Sequence, residues 1–228
     1  MDILIRQHIP KFFGIEQVGF TNGITVTEDF LVLEDVTEGL DLPCIMDVKI
    51  GAKTWGPDAT DKKISQESAK YSGTKFPFGF SILGMLVHSF SIAKKSVKLD
   101  KNFGKNLKTS DVDQVPQVFL NDDENPPDEL IRIFVEKISS IVQVFEMQRR
   151  YKMFASSLLL AYDATAVKKF KNQEISEAEL KKFVRVKLID FAHVFDAQGQ
   201  EDENFLFGVR NLQDLFNRYY RRNQCNLP

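Results

Sequence analysis

The chain has 228 residues, with 30 Lys plus Arg against 32 Asp plus Glu and a net charge of −2. That length supports one sizeable domain, or two lobes sharing a cleft. The balance of charge leaves no global footprint for nucleic acid or an anionic membrane, so any anionic ligand must be met locally.

Cys44 and Cys225 lie far apart and in no metal-ligand spacing, so both are expected to be free thiols in a reducing compartment. The opening residues MDILIRQHIPKFF mix charges into a short apolar stretch without a small-residue cleavage site. No window approaches the ~18 continuous apolar residues of a membrane span. The expected location is the cytoplasm, the nucleus or both.

In chain order, Gln17 to Phe20, the turn Thr21-Asn22-Gly23, and Ile24 to Thr27 read as a β-hairpin, because Asn-Gly readily adopts positive φ. A separate strand is predicted from Phe30 to Glu34. Cys44 to Ile50 alternates, with Met46, Val48 and Ile50 on one face and Ile45, Asp47 and Lys49 on the other, as a half-buried strand does. Asp61 to Tyr71 follows the turn-like Trp55-Gly56-Pro57 and reads as a helix, with Lys63, Gln66 and Lys70 at i, i+3 and i+7 on one face.

Gly79 to Phe90 is an apolar strand, and the polar stretch Ala93 to Asn125 reads mostly as loop. Pro126-Pro127 opens a long helix whose stripe of Leu130, Phe134, Ile138, Ile141 and Phe145 faces the core. Ser156 to Tyr162 and Val184 to Phe191 read as strands, separated by a charged segment, Lys168 to Lys182, with room for a short helix. Leu206 to Tyr220 closes the chain as an amphipathic helix. Hairpins, strands and helices without βα alternation predict an α+β fold.

Four segments carry chemistry. The strand containing Asp47 and Lys49 displays a carboxylate and an ammonium two residues apart and ends at Gly51; on its own, such a pair is more often a surface ion pair. Val186-Lys-Leu-Ile-Asp190-Phe-Ala-His193 delivers an acid at the end of an apolar strand, as kinases do to hold Mg²⁺, or as a helix cap would. Ser156 and Ser157 open a third strand. Leu31-Val-Leu-Glu34-Asp35-Val36 leads into a short connection, like a kinase hinge whose backbone reads adenine.

In this order the segments resemble the inositol polyphosphate kinase family. That family is marked by P-x-x-x-D-x-K-x-G, here Pro43, Asp47, Lys49 and Gly51; by S-S-L-L, here Ser156 to Leu159; and by I-D-F-A-H, here Ile189 to His193. The likeness extends through Ile9-Pro10-Lys11-Phe12-Phe13-Gly14, Leu33 to Val36, Gly79-Phe80 with Gly84-Met85, and Asn204 to Gly208.

The resemblance implies a two-lobed, kinase-like α+β fold of the inositol polyphosphate kinase and SAICAR-synthase type, with ATP and Mg²⁺ between the lobes. Residues 1–36 would be the remnant of an amino-terminal β lobe up to the hinge, and 37–228 the catalytic lobe, with an inositol-phosphate-binding helix at about 58–72. It implies adenine on the backbone of Glu34 and Val36, Asp47 between the ATP ribose and the reacting hydroxyl, and Lys49 near the transferred phosphate. Asp190 would be the metal ligand, with Ser157 and His193 lining the site and His193 facing the inositol phosphate. Lys63, Gln66 and Lys70 would form a phosphate-binding comb, supplemented by Lys62 and Lys53; outside this context they would be a solvated helix face.

Gly79 comes only 28 positions after Gly51, which leaves no room for the long insertion of trisphosphate-specific members. An open acceptor pocket of the multikinase or hexakisphosphate kinase branch is expected. The family's lysine-bearing strand before the I-P segment is missing from this reading, since Ile9-Pro10 comes almost at once, and Lys11 lies in the wrong context to replace it. The expected function is therefore an ATP- and Mg-dependent inositol polyphosphate kinase, or else a catalytically weak or inactive sensor or scaffold that keeps the inositol phosphate face. A lipid head-group kinase is disfavoured by the absence of a basic amphipathic helix. The expected partner is a soluble inositol polyphosphate, with no nucleic acid, no membrane insertion and a monomeric state.

Overall fold

A computed structural model describes residues 3–21, 25–92 and 95–225. The elements are α1 (Ile3–Arg6), β1 (Phe12–Thr21), β2 (Thr25–Leu33), β3 (Pro43–Ile50), α2 (Asp61–Ser68), α3 (Ser72–Phe78), β4 (Phe80–His88) and β5 (Ser96–Leu99), then α4 (Lys101–Asn106), α5 (Gln114–Phe119), α6 (Asp128–Met147), β6 (Tyr151–Met153), β7 (Ser157–Asp163), α7 (Ala164–Lys171), α8 (Glu177–Leu180), β8 (Val184–Ile189), β9 (Val194–Asp196) and α9 (Glu203–Cys225).

A five-stranded antiparallel sheet in the order β5-β4-β3-β7-β8 forms the body. One face is the core. Cys44, Met46, Val48 and Ile50 of β3 are fully buried there, as the alternation predicts. Helices α6 and α9 pack together beneath it, joined by Phe145 stacked on Phe205 at 3.9 Å and Phe134 against Phe216 at 5.8 Å. The buried residues of α9, Phe205, Val209, Leu212, Phe216 and Tyr219, recur every three or four positions, so one stripe of the helix meets the core. The opposite face of β3 carries Asp47 and Lys49.

The hairpin of β1 and β2 forms its own two-stranded sheet. The predicted Asn22-Gly23 turn lies outside the described residues. Phe30 to Glu34 is not a separate strand: nothing between Thr27 and Phe30 turns the chain, so β2 runs unbroken to Leu33, with Phe30 opposite Glu16 and Leu31 opposite Ile15. A further correction concerns 93–125, which holds β5, α4 and α5 and buries Leu107, Val112, Val115, Phe119 and Leu120. These elements are short, and packing rather than periodicity defines them.

Candidate active site

Asp47 and Lys49 reach the polar face of the sheet from the middle and end of β3. Lys49 pairs in register with Ser157 of β7 and Ser81 of β4. Opposite Asp47 stands Gly84, and the ladder slips there: Asp47 pairs with Gly84 but Val48 with Ile82, leaving Leu83 as an extra residue. Such a bulge bends the strand and re-aims its neighbours, and the glycine puts no side chain beside the carboxylate.

Asp47 Oδ1 is buried and has no hydrogen-bond partner; neither have the hydroxyls of Ser156 and Ser157. Burial pushes the Asp47 carboxyl above its usual range, the nearby Ser157 hydroxyl pulls it back, the Asp190 carboxylate raises it again, and Lys49 lowers it. Ser157 thus lies close enough to bias Asp47 without closing a well-formed bond. Buried polar atoms left unpaired are rare and mark either strain or an expected ligand.

Asp190 follows β8 in the left-handed region at φ 64°, a conformation that aspartate tolerates better than most residues. It follows the last ladder residue, Ile189, and lies close enough for its charge to act on Asp47. Among the described residues no three His, Cys, Asp or Glu side chains cluster as a metal cage. Two neighbouring carboxylates, one with an orphaned oxygen, fit a hard cation that takes its remaining ligands from phosphates and water. They do not fit an all-protein metal site.

Helix α2 reaches the segment after β8 through Lys63. Thr60 caps it by accepting from Lys63 N. Lys63 is half-buried, with Nζ 3.4 Å from His193 Nε2. Gln66 is exposed. Lys70 corrects the predicted comb: α2 ends at Ser68, so Lys70 lies in the turn beyond it, where it forms a 2.7 Å ion pair with Glu67. Tyr71 at φ 57° turns the chain away. Lys62 and Lys53 are exposed.

Sequence reasoning missed Glu67 and Lys75 here, and named Asn204 only within the family segment Asn204 to Gly208. Glu67 brings a negative charge into the lysine comb, and the Lys49 charge acts on it from across the cleft. Lys75 is only 1 % exposed; it donates to the Glu67 carbonyl at the end of α2 and lies over the rings of Trp55 (5.9 Å) and Phe76 (5.2 Å). A lysine so placed caps the helix terminus and fixes its approach to β3. Asn204 brackets the loop after β3, accepting from Lys53 N at 2.8 Å and donating to Lys53 O at 2.9 Å. Beside it, a Cβ on Gly208 would collide with the Gly79 carbonyl, so that glycine is required for α9 to touch the end of β3.

At the hinge, Glu34 N donates to Lys11 O at 2.8 Å, and the Val36 carbonyl accepts from Arg185. The Glu34 carbonyl and the Val36 N–H keep no partner among the described residues, and an acceptor and a donor two residues apart are what an adenine edge requires. The Cys44 thiol is free and pushed up to about 11, chiefly by burial, which makes it inert.

A hairpin joined by a hinge to a sheet that displays two carboxylates and lysines defines a two-lobed, kinase-like α+β protein. A family model described as inositol polyphosphate kinase matches residues 30–217, and the chain belongs to that family. It is 31% identical over 162 residues to the inositol polyphosphate multikinase of Mus musculus, covering 71% of this chain and 39% of the relative. It is 29% identical over 195 residues to the mouse inositol hexakisphosphate kinase 3, covering 80% and 49%. The chain thus spans 39% and 49% of the length of these two mouse relatives. A solved inositol phosphate multikinase from S. cerevisiae, in complex with ADP and Mn2+, superimposes with a TM-score of 0.75 at 21% identity, covering 94% of this chain and 90% of that one. The fold is shared with that structure.

Proposed function

We propose that this chain is an ATP- and Mg-dependent kinase that transfers the γ-phosphate to soluble inositol polyphosphates. The observation that carries the reading is the buried, partnerless Asp47 Oδ1 neighbouring Asp190, with Lys49 on the same face and the Lys63–His193 contact. Phosphoryl transfer depends on positioning and on neutralising charge over the phosphate oxygens, and these groups supply both.

In this reading residues 1–36 roof the nucleotide and 37–228 form the catalytic lobe. The Glu34 carbonyl and the Val36 N–H receive adenine. Asp47 orients the ribose and the acceptor hydroxyl, Lys49 meets the transferred phosphate, and Asp190 with Asp47 would hold Mg²⁺, which supplies the charge neutralisation when bound. Lys63, His193, Gln66 and Lys70 hold the acceptor's phosphates, with Ser157 beneath. The short connection between Gly51 and Gly79 leaves α2 open to solvent, which favours an acceptor range like that of the multikinase and hexakisphosphate kinase relatives. No helix among the described residues is long and apolar enough to cross a membrane, and a soluble acceptor agrees with that.

A second reading, an inositol-phosphate sensor with weak or no catalysis, is favoured by one observation: strands β1 and β2 carry no Lys or Arg to meet the ATP phosphates. One experiment decides between the two. Labelled γ-phosphate from Mg-ATP is offered with acceptors from inositol trisphosphate to hexakisphosphate, and products are resolved by anion exchange. Transfer that falls at least ~100-fold in Asp190→Asn and in Asp47→Asn supports the kinase. Inositol phosphate binding without transfer supports the sensor.

A further inference from the structure

A cavity of about 540 Å³ lies between the 34–38 connection, β8 and α6; it includes Glu34 of the hinge but none of Asp47, Lys49, Ser157, Asp190 or His193. Five cations line it: Lys137 of α6, Lys181 and Lys182 ahead of β8, and Arg185 and Lys187 of β8. Its acids are Glu34, Asp35 and Glu38. In a chain with a net charge of −2, this is a local excess of positive charge.

Much of that charge is already engaged. Lys181 is paired with Glu136 at 2.6 Å, Arg185 clamps the carbonyls of Val36 and Glu38, and Lys187 donates to the carbonyls of Gln7 (3.1 Å) and Ile9 (3.3 Å). Among the acids, Glu34 accepts from Lys11 N at 3.0 Å, and Asp35 accepts from the Thr37 amide and hydroxyl at 2.7 Å each. Lys137 and Lys182 make no hydrogen bond or ion pair among the described residues. Lys137 is half-buried, and burial together with Lys181 and Lys187 lowers its proton affinity. Buried His8, also depressed by burial and by Lys187, lies beside Ser140 Oγ at 3.4 Å. A half-buried ammonium among like charges, without an acceptor, costs free energy that a bound anion relieves.

We propose that this cavity is a second binding site, for a phosphate-bearing small anion held by Lys137 and Lys182. The volume falls within the range of small-molecule sites, and the concave shape suits a discrete ligand rather than a lipid surface. Arg185 lines the cavity and also grips the hinge carbonyls, so an anion here sits one side chain from the adenine-reading connection. The ligand chemistry could come from a nucleotide's phosphate chain or from an inositol phosphate.

The test is amide-resolved NMR titration of the full chain, with inorganic triphosphate in one arm and inositol hexakisphosphate in the other. Saturable shifts at residues 137–140 and 182–187 are expected in at least one arm, which also identifies the source. In Lys137→Met/Lys182→Met, which keeps the aliphatic stems, affinity at these amides should drop about tenfold or more, as for the loss of charge-assisted contacts, while shifts around 47–51 persist. No saturable shift at 137–140 and 182–187 in either arm overturns the proposal, as does a double variant that titrates like wild type. If the double variant does not fold, the wild-type titration decides alone. Because the cavity holds none of Asp47, Lys49, Asp190 or His193, its failure leaves the phosphate-transfer assay untouched.

Discussion

The β1–β2 hairpin and the five-stranded sheet are both antiparallel and both rich in apolar residues, yet they are held in opposite ways. In the sheet, Met46, Val48, Leu158, Leu160 and Leu188 are fully buried against helices. In the hairpin, Phe13 and Leu31 are each 66% exposed, and Phe12, Ile15 and Leu33 at least half exposed. The hairpin packs extensively on no other helix or strand. Its links run through its base, where Leu188 N donates to His8 O at 2.6 Å, Lys187 grips Gln7 and Ile9, and Arg185 holds Val36. A two-stranded ribbon is marginal by itself, so the lesson is that the hinge and β8, rather than an apolar core, position the hairpin. Asp47, by contrast, stands on β3, whose other face is fully buried at Cys44, Met46, Val48 and Ile50.

That contrast can be broken by experiment. The largest effect is expected from Leu160→Ala in β7, where a cavity in the fully buried sheet face should cost about 2–5 kcal/mol. Urea denaturation followed by circular dichroism reads it, and a cost below 1 kcal/mol would show that the sheet is not the stabilising core. Next comes Asp202→Ala. This buried carboxylate accepts from Met153 N at 2.6 Å and Phe205 N at 3.0 Å, so its loss removes the cap of α9 and strands a buried donor, at about 2 kcal/mol.

A smaller effect, of opposite sign, is expected at Asp47. Its folded carboxyl is raised above the unfolded range, so the ionised form weighs against folding at high pH, and stability is regained as pH falls and the group protonates. Asp47→Asn should therefore melt higher than wild type at pH 8, with the gap closing on acidification, while transfer is lost. A lower melting point at pH 8 would falsify the desolvation account. The smallest effect belongs to the hairpin: Leu31→Ala should change global stability by less than about 0.5 kcal/mol. Hydrogen exchange sharpens the comparison, since amides of β1 and β2 should exchange well before those of β3 and β7.

Much of this was legible in the residues themselves. The alternation of Cys44 to Ile50 places Asp47 and Lys49 on one face, as observed, and the stripes of α6 and α9 declare the core. Family motifs pointed to Asp190, Ser157 and His193; in the structure Ser157 and Asp190 lie close enough to act on Asp47, and His193 lies beside Lys63. The comb was only partly legible. Lys63 meets His193, but the helix stops before Lys70, because a left-handed Tyr71 and a buried Lys75 end it. Nothing in the local spacing announces Lys75, whose partners Trp55, Glu67 and Phe76 are set by the fold. The 93–125 region was read as loop because short helices that bury one or two side chains carry no lasting period.

The sequence by itself determined the periodic elements, the faces they bury and the family, because burial on a helix or strand leaves a period of 3.6 or 2 and motif residues keep fixed local spacings. Tertiary structure alone decided what meets across the chain: the nearness of Asp47 and Asp190, the approach of Lys63 to His193, the capping of α2 by Lys75, and the lysine-lined cavity behind the hinge. Those contacts join residues as many as 180 positions apart, from Gln7 to Lys187. They depend on strand register and helix docking, which are set by packing of the whole core rather than by any window of residues.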